Sequence, residues 1–438
     1  LDFSLFRVYE KGQPYHPPHH LAWTRTGLKA GDLTFVTGHP GRTARLETLA
    51  QMRFSRDFDL PERIRGLERQ REALLAYAST SPEAARQVNA QIFGLENSIK
   101  ARTGYLNGLR DREAMARIEA AEAALKSRVA ADATLQAKVG ESWTKIEQAL
   151  ERQKALHKEA TYVGTANSTL LAQALTLVRL AEEASKPGDQ RLPEYAEAQL
   201  KALRARLGVQ RPFYPEQEIA LFTFGLKEAQ RELGSDHPFV KAMLEGRSPE
   251  AAARTAVEGS KLADAAVRKA LVEGGRKAID ASLDPMILLA KRLDPLNREV
   301  RKRQEAEVSS VITEHGGRIA RARFEAYGKA DYPDATFTLR LTYGPVEGYP
   351  ANGTKIQPFT TFHGLFDRAI GQGPEAEHGA WALPPRWLER KDRLDLATPF
   401  DFCHAVDIIG GNSGSPVVDR KGELVGLIFD GNIESLAG

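Results

Sequence analysis

Apolar and polar positions change rhythm twice along this chain. Near the start they alternate. Leu1-Asp2-Phe3-Ser4-Leu5-Phe6-Arg7-Val8-Tyr9 reads as a strand already under way, and Leu33-Thr34-Phe35-Val36-Thr37 as another, separated by a Pro/His turn around His16, His19 and His20. The second strand runs into Gly38-His39-Pro40-Gly41-Arg42-Thr43, a tight loop. From Glu47 to Ala330 the period becomes helical, with apolar residues three and four apart, as in Ile64, Leu67, Leu74 and Leu75. Helix starts are signalled by Ser81-Pro82-Glu83 and Ser248-Pro249-Glu250, where a serine N-cap precedes proline at the first helical position. Asp284-Pro285 and Asp294-Pro295 read the same way. The pattern predicts several helices of about one to two dozen residues paired as antiparallel hairpins, since breaks near Gly140, Gly164 and Pro187 oppose a long coiled coil. From Tyr332 the alternation returns, in Ala335-Thr336-Phe337-Thr338-Leu339-Arg340-Leu341-Thr342-Tyr343, and Gly344-Pro345 then turns the chain.

Within the last region, Gly410-Gly411-Asn412-Ser413-Gly414-Ser415-Pro416 carries the strongest chemical signal. A serine flanked by glycines, with a small residue and proline behind it, is how chymotrypsin-like proteases present their nucleophile. Glycine two residues before the serine lets the backbone turn sharply, so that the amides of Gly411 and Ser413 can face a developing oxyanion. Pro416 then opens a hairpin, 416–418 with 423–429, whose turn is Asp419-Arg420-Lys421-Gly422. The simplest architecture is a β-barrel protease into which a large helical domain has been inserted.

Composition narrows the classes. In 438 residues the formal net charge is +3, which opposes a dedicated nucleic-acid binder, and no apolar run is long enough for a membrane span. The single cysteine, Cys403, excludes an internal disulfide framework and a multi-cysteine metal site; in its apolar stretch it reads as a small filler. The chain starts inside a strand pattern without an initiator Met or signal peptide, and it stops just after a strand and a glycine-flanked turn. It therefore reads as an internal fragment, so the missing signal says nothing about export.

A serine nucleophile needs a base and a group that orients it. Asp2 precedes an alternating strand, where the chymotrypsin order His, Asp, Ser would supply the acid; it reads equally as a strand-edge residue. No histidine fits the base. His16, His19, His20 and His39 lie in turns or loops, His157 and His237 in the helical region, and His315, His363, His378 and His404 lack a small-residue setting. Asp407, six residues before Ser413, reads either as the floor of a pocket for Lys or Arg or as a structural acid that holds the loop.

Taken together, these segments resemble the bacterial dipeptidyl peptidases VII and XI, chymotrypsin-like serine exopeptidases with a helical domain. The resemblance rests on 2–9, 38–43, Asn97-Ser98-Ile99-Lys100 with Gly104 and Gly108-Leu109, 332–341, 407–416, and Phe429-Asp430-Gly431-Asn432. Small departures are His39, where tyrosine is expected, and a short turn after Tyr9. The resemblance implies Ser413 as nucleophile, Asp2 as the orienting acid, and the Gly411 and Ser413 amides as the oxyanion hole. It also implies that Asn97 and Asp430 bind the free α-amino group of the substrate, since a carboxylate facing an ammonium gives a charge-assisted bond that a blocked N-terminus forfeits. On the residues alone, Asn97 is equally a helix-surface side chain and Asp430 a turn acid. In that family arginine at the position of Gly431 accompanies cleavage after Asp or Glu, and glycine accompanies hydrophobic P1 residues. Gly431 therefore predicts a neutral pocket and weakens the Lys/Arg reading of Asp407.

The expected fold is α+β: a chymotrypsin-like double β-barrel, partial in this chain, formed by residues 1–46 and 331–438, with an all-α domain inserted at 47–330. The expected activity is release of dipeptides from free N-termini of oligopeptides, with hydrophobic P1 residues preferred, through an acyl-enzyme. The rivals are a chymotrypsin-like endopeptidase and a non-catalytic peptide-binding protein on a protease scaffold. No metal or cofactor is implied. By resemblance the parent would be an exported, periplasmic homodimer, and this fragment would lack the catalytic histidine.

Overall fold

The structure, a computed structural model, describes residues 4–328, 333–351, 353–373 and 381–432. It divides into two compact units, one formed by 1–46 with 332–438 and the other by 47–331.

The first unit is built on a four-stranded antiparallel sheet in the order β10-β9-β3-β4, from β3 (Leu33–Gly38), β4 (Arg340–Pro345), β9 (Pro416–Val418) and β10 (Leu424–Leu427). β3 is central because its alternate residues can be buried: Val36 pairs with Val417, and both lie under Ile428 with Phe402, Val406, Ile408 and Val425 around them. The β9–β10 hairpin turns where the sequence predicts. Asp419 Oδ1 accepts from the amides of Lys421 (2.8 Å) and Glu423 (3.0 Å), an Asx-type lock on the turn. Smaller two-stranded pairs join β1 (Tyr9–Glu10) to β2 (Gln13–Pro14), β5 (Pro350–Ala351) to β6 (Thr354–Lys355), and β7 (Phe359–Thr361) to β8 (Pro399–Phe402).

Two strand expectations are corrected. Of the expected opening strand, residues 1–3 lie outside the described residues and strand pairing starts only at Tyr9–Glu10; Leu5, Phe6 and Val8 stay exposed, and the Val8 carbonyl accepts from the Tyr15 amide (2.8 Å). The strand expected from Ala335 begins only at Arg340. Before it, Phe337 takes a left-handed φ of 61° and donates its N–H to the carbonyls of Pro40 and Gly41, both at 3.0 Å, which pulls the chain off the sheet. The double barrel is met only in part: the sheet is open, with β4 and β10 as its edges, and no barrel is closed among the described residues.

The chain leaves this unit and re-enters it at one clamp. Asp334 Oδ1 accepts from the Thr43 hydroxyl (2.5 Å) and the Arg45 amide (2.8 Å), and Oδ2 from the Leu46 amide (3.1 Å). The partners lie up to 291 residues apart in sequence, so ionised acceptor bonds hold together ends that a very long insertion would otherwise leave apart.

The second unit is helical: α1 (Leu49–Phe54), α2 (Leu60–Ala78), α3 (Pro82–Arg110), α4 (Arg112–Ala131), α5 (Ala133–Val139), α6 (Ser142–Tyr162), α7 (Thr169–Glu183), α8 (Glu197–Leu207), α9 (Pro215–Leu233), α10 (Pro238–Leu244), α11 (Pro249–Gly259), α12 (Ala265–Ala281), α13 (Pro285–Gln304) and α14 (Ser310–Tyr327). Single π-helical segments, Ser55–Asp59 and Glu305–Ser309, make α1–α2 and α13–α14 two continuous rods. The predicted caps form: Ser81, Ser248 and Asp284 accept from the amides of Ala84 (3.1 Å), Ala251 (3.2 Å) and Met286 (2.9 Å). Asp294-Pro295 does not start a helix; Pro295 lies inside α13. Asp294 is buried against the guanidinium groups of Arg179 and Arg298, and its neighbours Leu293 and Ala290 fill the core, so packing overrides the local break. The largest apolar cluster joins Leu171 and Leu177 of α7, Phe222 and Leu226 of α9, Phe239 of α10, and Met286 and Ile287 of α13. No helix of the described residues is long and apolar enough to cross a membrane.

Candidate active site

The serine loop hangs between the sheet and the segment after β10. Gly414 donates to the carbonyl of Ile428 (2.7 Å) and Ile428 to that of Ser415 (3.0 Å), fixing the downstream side. Upstream, Gly41 donates to the carbonyl of Gly410 (2.8 Å). Asn412 ties the turn from within: its amide donates to Ile409 (3.0 Å), its Oδ1 accepts from Ile409 (3.2 Å), and its carbonyl accepts from Ser415 (2.8 Å). Asn412 and Ser415 are buried while Ser413 is exposed, so the loop puts one hydroxyl outward on an internally bonded base.

Two glycines are dictated by this packing. Gly411 has φ 111°, and a Cβ there would strike the carbonyl oxygen of His39 and approach the Gly41 nitrogen to 2.9 Å. Gly38, at the end of β3, lies where a Cβ would run into the side chains of Ser415 and Asn412. The loop and β3 can approach this closely only through glycine. Neither the Gly411 nor the Ser413 N–H donates to another group among the described residues, and the Ser413 hydroxyl likewise has no partner there. Two open amides beside an exposed hydroxyl suit attack on a carbonyl with capture of the resulting oxyanion.

The remaining sequence candidates fall as follows. Asp2 lies outside the described residues. Asp430 is exposed after β10, with Oδ1 accepting from the Gly431 amide (2.8 Å), and Gly431 is exposed beside it. Asn97 is exposed on α3 in the other unit. The structure thus brings Gly411, Ser413, Asp430 and Gly431 into one unit, on two segments bonded through Gly414 and Ile428.

Asp407 takes the structural reading. It forms a two-pronged ion pair with Arg45, Nη1 to Oδ2 at 2.8 Å, and its amide donates to the Thr342 hydroxyl at 2.9 Å. An acid already neutralised by a guanidinium has little left for a substrate cation. His404 is tied to Thr34, Nδ1 to Oγ1 at 2.7 Å, while the Thr34 hydroxyl donates to the carbonyl of Gly344 (3.0 Å). Burial pushes the imidazole down to about 4. A base that weak takes no proton from serine near neutral pH, so His404 is a packing group. No histidine of the described residues hydrogen-bonds Ser413.

Sequence reading missed four supports: Arg45, Asp334, Thr34 and the left-handed Phe337. Their signal was positional only. Thr43 and Asp334 lie in two of the segments that carried the resemblance, and nothing local marked them as partners.

Comparison with known proteins follows this geometry. The profile of the family described as Peptidase S46 matches residues 1–438. The chain is 28% identical to the Asp/Glu-specific dipeptidyl-peptidase of Shewanella putrefaciens, in an alignment covering 99% of this chain and 65% of that protein. It is 26% identical to dipeptidyl-peptidase 7 of Porphyromonas gingivalis, covering 100% and 63%. The crystal structure of Porphyromonas endodontalis DPP11 in complex with the dipeptide Arg-Glu superposes with a TM-score of 0.70 at 23% identity, over 98% of this chain and 62% of that one. At that identity the likeness is one of fold. The chain spans less than two thirds of the length of these curated relatives.

Proposed function

The chain belongs to the peptidase S46 family, and from that premise we propose that it carries the nucleophile half of a serine dipeptidyl peptidase acting on free N-termini of oligopeptides. The observation that carries this reading is the exposed Ser413 between two amides, Gly411 and Ser413, that have no partner among the described residues. Ser413 attacks the carbonyl of the second residue; the two amides receive the oxyanion; the leaving amine departs and water releases the dipeptide from the acyl-enzyme. Asp2 orients the histidine that serves as base. Asp430 and Asn97 hold the substrate ammonium, and fixing that amine a set distance from Ser413 measures off two residues.

Relatives named for Asp/Glu specificity and for dipeptidyl-peptidase 7 match at similar identity, so overall likeness does not choose between their substrates. We take the neutral pocket from Gly431, which offers no guanidinium to offset desolvation of an acidic side chain. Export to the periplasm and a homodimeric parent complete the proposal.

The test is a panel of fluorogenic dipeptide substrates with Leu, Phe, Asp or Lys at P1, each with a free or acetylated N-terminus, assayed on the full-length protein and on Ser413→Ala. Cleavage of only the free-amine Leu and Phe substrates, lost in the variant, is expected. Preference for Asp overturns the Gly431 argument. Equal cleavage of blocked substrates points to an endopeptidase, and absence of Ser413-dependent cleavage points to a binding protein.

A further inference from the structure

Phe337 sits in a strained backbone region of the peptidase unit. It is a bulky aromatic at φ 61°, a region that costs a side chain like this free energy, and it is nonetheless 67% exposed. A strained backbone that buries nothing is not explained by core packing. What holds it is its N–H, shared between the carbonyls of Pro40 and Gly41. Those residues are the ones that meet the serine loop: the Gly41 amide bonds Gly410, and the His39 carbonyl and Gly41 nitrogen lie against Gly411. The Phe337 ring also faces that of His39, with centroids 6.2 Å apart. The conformation of Phe337 is therefore keyed to the loop that carries the nucleophile.

Phe337 forms one wall of an open groove of about 640 Å³ whose other lining comes from 41–43 and 334–336, all within the peptidase unit. The groove joins the serine loop on the Gly410–Gly411 side. The segment that holds Asp430 and Gly431 is bonded to the other side, through Gly414, Ser415 and Ile428. Resting on the reading above, in which Asp430 and Gly431 receive the dipeptide, a substrate that crosses Ser413 leaves on the groove side.

We propose that this groove is the leaving-group subsite, and that Phe337, with His39 behind it, selects peptides with an apolar side chain just beyond the scissile bond. An exposed aromatic face on a groove that meets the serine loop at Gly410–Gly411 gains free energy from apolar or aromatic side chains and little from small ones. The left-handed backbone aims the ring into the groove, where a regular strand conformation at 337 would carry it along β4.

The test measures which amine captures the acyl-enzyme. A dipeptidyl methyl ester with a free N-terminus and Leu at P1 acylates Ser413 and releases methanol. Water then yields the free dipeptide, while an added amino-acid amide attacks the same carbonyl through its amine and yields a tripeptide amide. The ratio of these products with phenylalaninamide and with glycinamide reports the leaving-group subsite alone. The full-length wild type, which supplies the base, is expected to favour phenylalaninamide. Phe337→Asn, which keeps a residue tolerant of positive φ, should lower that preference about five- to tenfold while ester hydrolysis changes less than about twofold. Phe337→Leu should retain part of it. An unchanged preference in Phe337→Asn, or an equal fall in ester hydrolysis and preference, overturns the proposal. Failure of the ester to turn over at all in the wild type is a different result, and it counts against the peptidase reading instead.

Discussion

At the scale of single residues, the candidate site depends on close backbone approach more than on side-chain chemistry. Gly411 shows this most directly, because its φ and the space beside it both exclude a side chain. Gly411→Ala is expected to displace the amide proposed for the oxyanion hole and lower kcat on a free-amine Leu substrate by about 10²-fold, the usual effect of losing one such donor, with far-UV circular dichroism unchanged. An activity within about threefold of wild type would show that this amide does not serve the reaction. The glycine was legible in the sequence as part of a motif. Its reason was not, because the atoms that forbid a Cβ belong to His39 and Gly41, about 370 positions earlier.

At the scale of elements, local signals determined the helix starts and longer contacts determined their exceptions. Ser81, Ser248 and Asp284 act as caps because the bond each makes is to its own first turn. Pro295 shows the limit: Asp294, held by Arg179 and Arg298 from two helices, keeps α13 running through it. The start of α7 combines both kinds of support. Ser168 caps the Leu171 amide at 3.0 Å and donates to Glu218 of α9 at 2.7 Å, and the same Glu218 oxygen accepts from Leu170 at 2.9 Å. All of this is buried. Ser168→Ala should cost about 2 kcal/mol in urea unfolding of the helical unit, since it removes a cap and leaves a buried carboxylate short of one donor. A loss below about 0.5 kcal/mol would mean that the Glu218 contact contributes nothing beyond an exposed cap.

At the scale of the molecule, the chain forms two units with separate cores, and within the first a clamp on Asp334 holds together the points where the chain leaves and re-enters it. The helical unit carries its apolar clusters and buried ion pairs within residues 47–331, among them Glu183 with Lys186 and Arg298. Expressed alone, residues 47–331 are expected to unfold cooperatively, with coincident transitions by circular dichroism and by tryptophan fluorescence of Trp143. Broad, non-coincident transitions would show that the helical core needs the peptidase unit to form.

By itself the sequence determined the succession of strand, helix and strand rhythms, the caps, the hairpin turn at 419–422 and the serine loop, because each is written in neighbouring residues whose periodicity or turn chemistry is local. Its reading of strand over 4–8 and over 335–339 was too long, since alternation records only that a residue could be half-buried, while a strand also needs ladder pairing. The tertiary structure alone decided that Asp407 is neutralised by Arg45, that His404 is packed against Thr34, that Asp334 closes the insertion, and that Phe337 turns left-handed beside Gly41. Each of these joins positions tens to hundreds of residues apart, where nothing in the spacing of the chain records which groups folding will bring within bonding distance.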